Sequence, residues 1–517
     1  MNQKKYVLVV DAGTQSIRAV LIDLQGNICE IERTEIEPYF SNQPGFAEQD
    51  PEYLWDKLCE TTKRLIKNTS VNTDDIKGLS ITTQRGTLVN LDRDGKPLRP
   101  AIIWLDQRKA KLHNWPKGIV KKGLQIINMY ESLAHAIKDG ESNWIKQSQP
   151  EIWNQTYKYV FLSGFFIHRL VGKYIDSIGS TVGYIPFDYK KQRWSKPEGI
   201  NARLFPIEKD KLVDLVKPSD LIGYITPTAS EQTGLPQGLP VIAAAADKAC
   251  EVLGSGCSNP DIACLSYGTT ATIETVNNKY IEVIPFFPSY PSAIPNHYNT
   301  EVMIYRGYWM IKWFKQEFGH KEVELAKQLG KSPEELFDEM IKDIPPGSMG
   351  LTLQPYWSPG VKIPGIEAKG AVIGFGDVHT RAHLYRSILE GITYALKDGA
   401  LRTEKRTGVK IQKLRVSGGG SQSRNALQMT ADIFNMQVEK PHTYETSALG
   451  AAINCAVGLN LYPDFQTAIQ NMCQISETYY PKPENTLIYK KLYENVYSKM
   501  YKQLKPLYQN IREITNY

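Results

Sequence analysis

Three short turns in this 517-residue sequence carry the residues needed to hold phosphate. Asp11-Ala-Gly-Thr-Gln-Ser16 follows the apolar run Tyr6 to Val10, and Tyr267-Gly-Thr-Thr270 follows Asp261 to Ser266. Ser417-Gly-Gly-Gly-Ser421 opens the helical run Asn425 to Phe434. Glycine lets a backbone turn tightly, the N–H groups of such a turn converge on an anion, and a helix N-terminus adds a favourable field. A fourth place supplies an acid. Asp247 ends Val241-Ile-Ala-Ala-Ala-Ala246, which reads as a buried strand delivering a carboxylate just before a turn.

Commoner nucleotide and metal motifs do not fit. Gly330-Lys331-Ser332 imitates the end of a P-loop, but Leu325 stands where its first glycine belongs and no apolar strand precedes it. Gly418-Gly-Gly420 lacks the third glycine of a dinucleotide loop, because Ser423 occupies that place. His379 and His383 share a helical face, yet with no glutamate between them and no third ligand they read as a capped helix start and not as a zinc site. The seven cysteines include no C-x-x-C pair and read as small core residues of a reducing cytoplasm.

The phosphate-type turns need elements to hold them. Tyr6 to Val10 and Ile17 to Asp23 read as the strands of a hairpin, closed by Gln25-Gly26, and the pattern recurs at Asp261 to Ser266 and Ala271 to Val276, about half the chain later. A two-fold repeat at that spacing predicts two similar α/β domains facing a cleft, 1–253 and 254–517, divided near Gly254-Ser-Gly256. Asp50-Pro51 reads as a helix start, Ile76 to Thr82 and Ala101 to Leu105 as buried strands, and the Tyr and Met stripe from Tyr489 to Leu504 as the core face of a C-terminal helix. With 42% hydrophobic and 22% charged residues the chain has the composition of a folded globular protein. Its +6 net charge is spread over isolated pairs, which argues against a nucleic-acid or anionic-membrane surface. The apolar runs Val7 to Val10 and Val241 to Ala246 both stop at an aspartate, too short to span or target a membrane.

In this order and spacing the motifs resemble the FGGY carbohydrate kinases, members of the actin-like, ribonuclease H-like ATPase superfamily. The resemblance covers nearly the whole chain. Asp11 to Arg18 matches the family's first phosphate hairpin, Tyr267 to Thr270 the second, Ser417 to Asn425 the adenosine segment, and Ser447 to Ala452 the closing helix. Gly370 to Phe375 followed by His383 to Glu390 approaches the C-terminal signature. The resemblance implies two actin-like ATPase domains with mixed sheets, ATP and Mg²⁺ as cofactors, and a small sugar or polyol as acceptor. Asp247 would be the general base and a contact of the acceptor hydroxyl. Asp11 would hold magnesium, directly or through water. Thr14, Gln15 and Arg18 would line the β- and γ-phosphates, Gly268 and Thr269 would approach them from the other domain, and Gly419, Gly420 and Asn425 would surround the adenosine. Gln84, Arg85, Trp104 and Asp106 would meet the sugar.

The acceptor is less sharply drawn. Ile81-Thr-Thr-Gln-Arg85 resembles the glycerol kinases, but Gly86 stands where they carry a glutamate that grips glycerol. The Met-His pair of xylulokinases is absent from the same loop. A ketopentose or related polyol is the leading expectation, with glycerol as an alternative. Tyr308, Trp309 and Lys312 are bulky where the family offers small residues to the nucleotide, and Lys248 follows the base where an amide is usual. These departures motivate a non-catalytic nucleotide- or sugar-sensing protein as a rival, and an actin-like ATPase with a protein partner as a weaker one. A homodimer is an open assembly option.

Overall fold

The strands and helices that frame the cleft are numbered among themselves in a computed structural model that describes residues 5–112, 121–122, 130–358, 360 and 364–515. The strands β1 (Tyr6–Ala12) and β2 (Ser16–Asp23) form the antiparallel hairpin the sequence predicts, with Asp11 opposite Arg18. Strand β3 (Ile28–Glu35) continues the meander, and β4 (Ile76–Thr83) lies parallel to β1 on its other side. Strands β5 (Leu221–Tyr224) and β6 (Pro240–Ile242) complete a six-stranded sheet ordered β5-β6-β4-β1-β2-β3.

The second half repeats this plan. Strands β7 (Ile262–Tyr267), β8 (Ala271–Asn277) and β10 (Tyr298–Ile304) form the meander, while β11 (Lys413–Ser417) and β12 (Gln437–Pro441) add in parallel beside β7. Short β9 (Tyr290–Pro291) and β13 (Ile475–Tyr479) are the edges, giving β9-β10-β8-β7-β11-β12-β13. Both halves therefore have a meander followed outward by two parallel strands, the mixed-sheet plan of an actin-like two-domain fold.

Every residue of β1 is buried, because both faces of its sheet are covered. Leu8 and Val10 face a core that includes α1 (Pro51–Asn68), whose start is capped by Asp50 accepting from the Glu52 N–H. Val7 and Val9 face the other way, into a core shared with Cys264 and Val276 of the second sheet. Two helices fill that shared core: α3 (Asp247–Gly254) and α7 (Thr446–Gly458). They cross with backbones in contact. A Cβ on Gly254 would lie 1.9 Å from the Thr446 carbonyl oxygen, and one on Gly450 would lie 1.9 Å from that of Cys250.

Several expectations change in detail. Only Pro240–Ile242 pairs in the sheet, and Ala243 to Ala246 run on as buried chain without a ladder partner, held by bonds such as Ala246 N–H to Gly179 O. The strand at Ala101 ends at Ile102, where the chain turns. Cys29 is exposed on β3 instead of lying in a core, Cys473 is half-buried, and the other five cysteines are buried. The C-terminal stripe forms a helical run from Pro483 to Thr515 with a π-turn at Tyr493–Tyr497, burying Tyr489, Tyr493, Tyr497 and Met500. Among the described residues no helix is long and apolar enough to cross a membrane.

Candidate active site

Asp247 is the first residue of α3, where exposed backbone N–H groups favour a carboxylate. Its Oδ1 accepts from the Lys248 N–H at 2.8 Å. Burial raises its pKa to about 6, against the opposing pull of Arg85 and Lys248 and with a further push from Asp11. A carboxylate of this kind is ionised at neutral pH yet basic enough to share a proton with a hydroxyl.

Asp11 ends β1 next to this point and is buried. Its Oδ2 accepts from Arg18 Nη2 at 2.7 Å, and Arg18 also pairs with Glu445, the residue before α7. Burial raises the Asp11 pKa; Arg18 opposes this, while Glu445 and Glu251 add to it. The other oxygen, Oδ1, is buried without a hydrogen-bond partner. Arg18 was assigned to the phosphates on resemblance, and in this structure its guanidinium is engaged by two carboxylates.

The loop expected to meet the sugar begins where β4 stops. The Gln84 N–H donates to Ala12 O at 2.9 Å, which ties this loop to the first hairpin. Gln84 Oε1 accepts from Thr14 Oγ1 at 2.6 Å, Gln84 Nε2 donates to Gln49 at 2.7 Å, and Trp104 Nε1 donates to the same Thr14 hydroxyl at 3.1 Å. Thr14, expected beside phosphate, thus also binds two residues expected beside sugar. Gly86 has φ +60°, a left-handed turn that disfavours the glutamate of the glycerol kinases at this place. Arg85 reaches across to the other domain, where its Nη1 donates to Glu301 Oε2 at 2.8 Å. Gln15 is exposed at the hairpin tip, and its carbonyl accepts from Ile36.

Both carboxylate oxygens of Asp106 accept bonds from protein. Oδ2 accepts from the Ala47 N–H at 2.7 Å and Oδ1 from Arg108 N and Nε, both at 2.8 Å. Arg108 in turn lies over Phe46 and Trp144. This pairing fixes the chain that follows Trp104 and leaves Trp104, 45% exposed, as the available face.

On the second domain, the Gly268 and Thr269 carbonyls accept from the N–H groups of Tyr308 and Trp309, at 3.0 and 3.2 Å, at the start of α4 (Trp309–Phe318). The bulk of Tyr308 has a structural use. Its ring stacks on Tyr267, with centroids 4.6 Å apart, and a Cβ on Gly420 would meet it at 2.3 Å. Gly420 is small to admit this ring, whereas a Cβ on Gly419 would meet nothing within 4 Å. Asn425, in α6 (Arg424–Phe434), donates to Asp338 O at 2.9 Å, and Ser423 donates to the same aspartate's carboxylate. Lys312 is exposed on α4.

Lys248 is not turned to solvent. Its ammonium bonds Glu251 at 2.7 Å and the Ser266 hydroxyl on β7, and Glu251 accepts from Ser417 on β11 at 2.6 Å. The lysine therefore ties α3 to the strands below both second-domain turns. Burial works against its charge, but Glu251 and Glu274 outweigh it and the pKa is raised.

These elements bring Thr14, Gln84, Arg85, Trp104, Asp106, Asp247 and Thr269 onto the lining of one cavity of about 1040 Å³. Gly419, Gly420 and Asn425 are not part of its described lining. The tips of both hairpins thus share a cleft with the Asp247 carboxylate. Glu445, Glu301 and Gln49 escaped the sequence reading, since nothing in their local pattern marks them and each reaches the site from a distant segment, and Glu251, four residues after Asp247, gave no signal of its own.

Comparison with known proteins supplies the class. Residues 6–254 match the N-terminal domain of the FGGY family of carbohydrate kinases, and residues 263–459 match its C-terminal domain. The chain belongs to the FGGY family of carbohydrate kinases. More particularly, it is 29% identical over 519 residues to a xylulose kinase of Staphylococcus epidermidis, covering 99% of this chain and 100% of that one. In fold it is similar to crystal structures of a gluconate kinase and a xylulose kinase from Lactobacillus acidophilus. Both have a TM-score of 0.82, at 22% and 23% identity, and each covers 98% of this chain and 100% of the other.

Proposed function

We infer that the protein transfers the terminal phosphoryl group of ATP to a primary hydroxyl of a small sugar, with a xylulose-like ketopentose as the leading acceptor. The observation that carries this reading is the half-buried Asp247 carboxylate, at a helix start, on the same cavity as the tips of both Gly-Thr hairpins. Phosphoryl transfer of this kind is mostly positioning and charge stabilisation, so a modest base within reach of the hydroxyl suffices. Asp247 accepts the proton of the acceptor hydroxyl. Trp104 walls the sugar, while Thr14, bonded to both Trp104 and Gln84, keeps that wall in place. The Gly268-Thr269 tip and the Asp11 to Thr14 turn flank the phosphates. The similarity to the S. epidermidis xylulose kinase over the full length of both chains supports the ketopentose.

The residues present suit a divalent cation. The unpartnered, buried Oδ1 of Asp11 is the kind of lone hard oxygen that joins water and phosphate oxygens around magnesium. Magnesium there supplies neutralising charge on the phosphate oxygens. Asp11→Asn should raise the magnesium concentration needed for half-maximal rate by about tenfold or more, and chelation should silence the wild type. A magnesium titration unchanged in the variant removes Asp11 from this role.

Acidity tests the base independently. Because the pKa of Asp247 is raised to about 6, its carboxylate is present above that value and is lost as the pH falls through it. The kcat/KM of the wild type should therefore drop by about tenfold per pH unit below the break. A pH-rate profile that stays flat down to the ordinary carboxylate range contradicts the assignment.

A further inference from the structure

Arg85 is the cation that the sugar loop presents to the cleft, and the second domain has an acid waiting for it. Glu301 on β10 takes Nη1 at 2.8 Å, and Tyr290 lies under the guanidinium with its ring centroid 5.6 Å away. Glu301 sits directly opposite Glu274 in the β8–β10 register, so two carboxylates face Arg85 and Lys248 from the second domain. Burial works against the charge of Arg85, but Glu301, Asp247 and Glu274 together hold it firmly protonated. Its positive charge is thus already matched by protein.

Three other cations on the cavity lining are matched in the same way, whereas Arg306, which lies over Trp309, and Lys190 make no ion pair among the described residues. Arg108 pairs with Asp106 and Glu48, Lys109 with Asp139, and Lys248 with Glu251. Another part of the lining carries an acid with one oxygen left unpaired. Glu141, at the start of α2 (Glu141–Ser148), has its Oε2 buried without a hydrogen bond. Burial pushes this carboxyl up to about 8, and Asp139 and Asp106 add to the rise. A ligand carboxylate placed beside Arg85 would meet a guanidinium already paired with Glu301. A hydroxyl or carbonyl would find donors: the Arg85 edge and the protonated Glu141.

We propose that Glu301 is a specificity-determining residue. By cancelling the charge of Arg85 inside the sugar compartment, it makes the site take uncharged ketoses and polyols and turn away sugar acids. This rests on the reading above that the acceptor sugar lies beside Arg85. Discrimination here comes from a repulsive element as much as from an attractive one, and like charges facing one another in a partly dry site are strongly disfavoured.

The test compares kcat/KM for D-xylulose and D-gluconate, with ATP and magnesium, in the wild type, Glu301→Gln and Glu301→Asp. The wild type should favour the neutral sugar by about 100-fold or more. Glu301→Gln removes the carboxylate bonded to the guanidinium and should narrow that ratio by about tenfold or more through a gain on gluconate, with the KM for ATP unchanged. Glu301→Asp, which restores the charge, should move the ratio back toward the wild type. A merely structural role would lower both substrates together and leave the ratio where it was. Calorimetric binding of the two compounds without ATP reads the charge preference separately from turnover. Absent turnover with the binding preference intact overturns the kinase reading and upholds this one. A wild type that binds gluconate as well as xylulose, or a folded Glu301→Gln protein with an unchanged ratio, overturns the role of Glu301.

Discussion

Asp247→Asn should bind ATP as the wild type does and lose about 10²- to 10⁴-fold in kcat, the usual contribution of a positioned base. The substitution keeps the size of the side chain and removes only its ability to accept a proton. Asn also begins a helix well, so α3 should keep its place. The neighbours argue the same way. Lys248 is held by Glu251 and Ser266, and Arg85 by Glu301, so neither depends on Asp247 for a partner. Coupled ADP release measures the rate, and binding of a fluorescent ATP analogue measures the nucleotide site. A variant within tenfold of wild-type turnover would take Asp247 out of the chemistry.

Gly450→Ala should lower the urea midpoint of unfolding by an amount that corresponds to about 1–3 kcal/mol, with a matching fall in thermal midpoint. One added methyl group would lie 1.9 Å from the carbonyl oxygen of Cys250, and the obstacle is backbone, which cannot rotate aside as a side chain does. The two helices must then separate, and each carries part of the site at its N-terminal end: Asp247 begins α3 and Glu445 immediately precedes α7. Activity should fall in proportion to the misplacement even at temperatures where the variant stays folded. The same argument applies at Gly254, whose Cβ would meet the Thr446 carbonyl. An unchanged urea midpoint in both variants would mean that the helices cross less closely than described.

The sequence disclosed those parts of this fold that are written locally. A buried strand covered on both faces must be apolar throughout, so Tyr6 to Val10 and Ile262 to Tyr267 announce themselves, and the Gly-Thr after each marks the turn. Asp50-Pro51 and the tyrosine stripe are equally local signals, one a cap and one a period. Where burial has another cause, the same reasoning misleads. The alanines from Ala243 to Ala246 are apolar because they pack in the interior cores, not because they pair in the sheet. The fate of a charged group was not legible when its partner lies hundreds of residues away, as for Arg18 with Glu445 and Arg85 with Glu301. Asp106 shows the limit from the other side: its type and place suggested a sugar contact, but three nearby donors take both of its oxygens. The Tyr308 ring that lies against Gly420 is a second reason for its small size, which the sequence does not show.

The most direct test of the account is the product itself. The protein is incubated with ATP, magnesium and D-xylulose, and the mixture is followed by phosphorus NMR and mass spectrometry. The result expected is a pentulose monophosphate esterified at a primary carbon, formed mole for mole with ADP and absent with Asp247→Asn. ADP accompanied only by inorganic phosphate at a rate no sugar changes, or no reaction with any sugar while nucleotide binds, would contradict the reading of this site as a carbohydrate kinase.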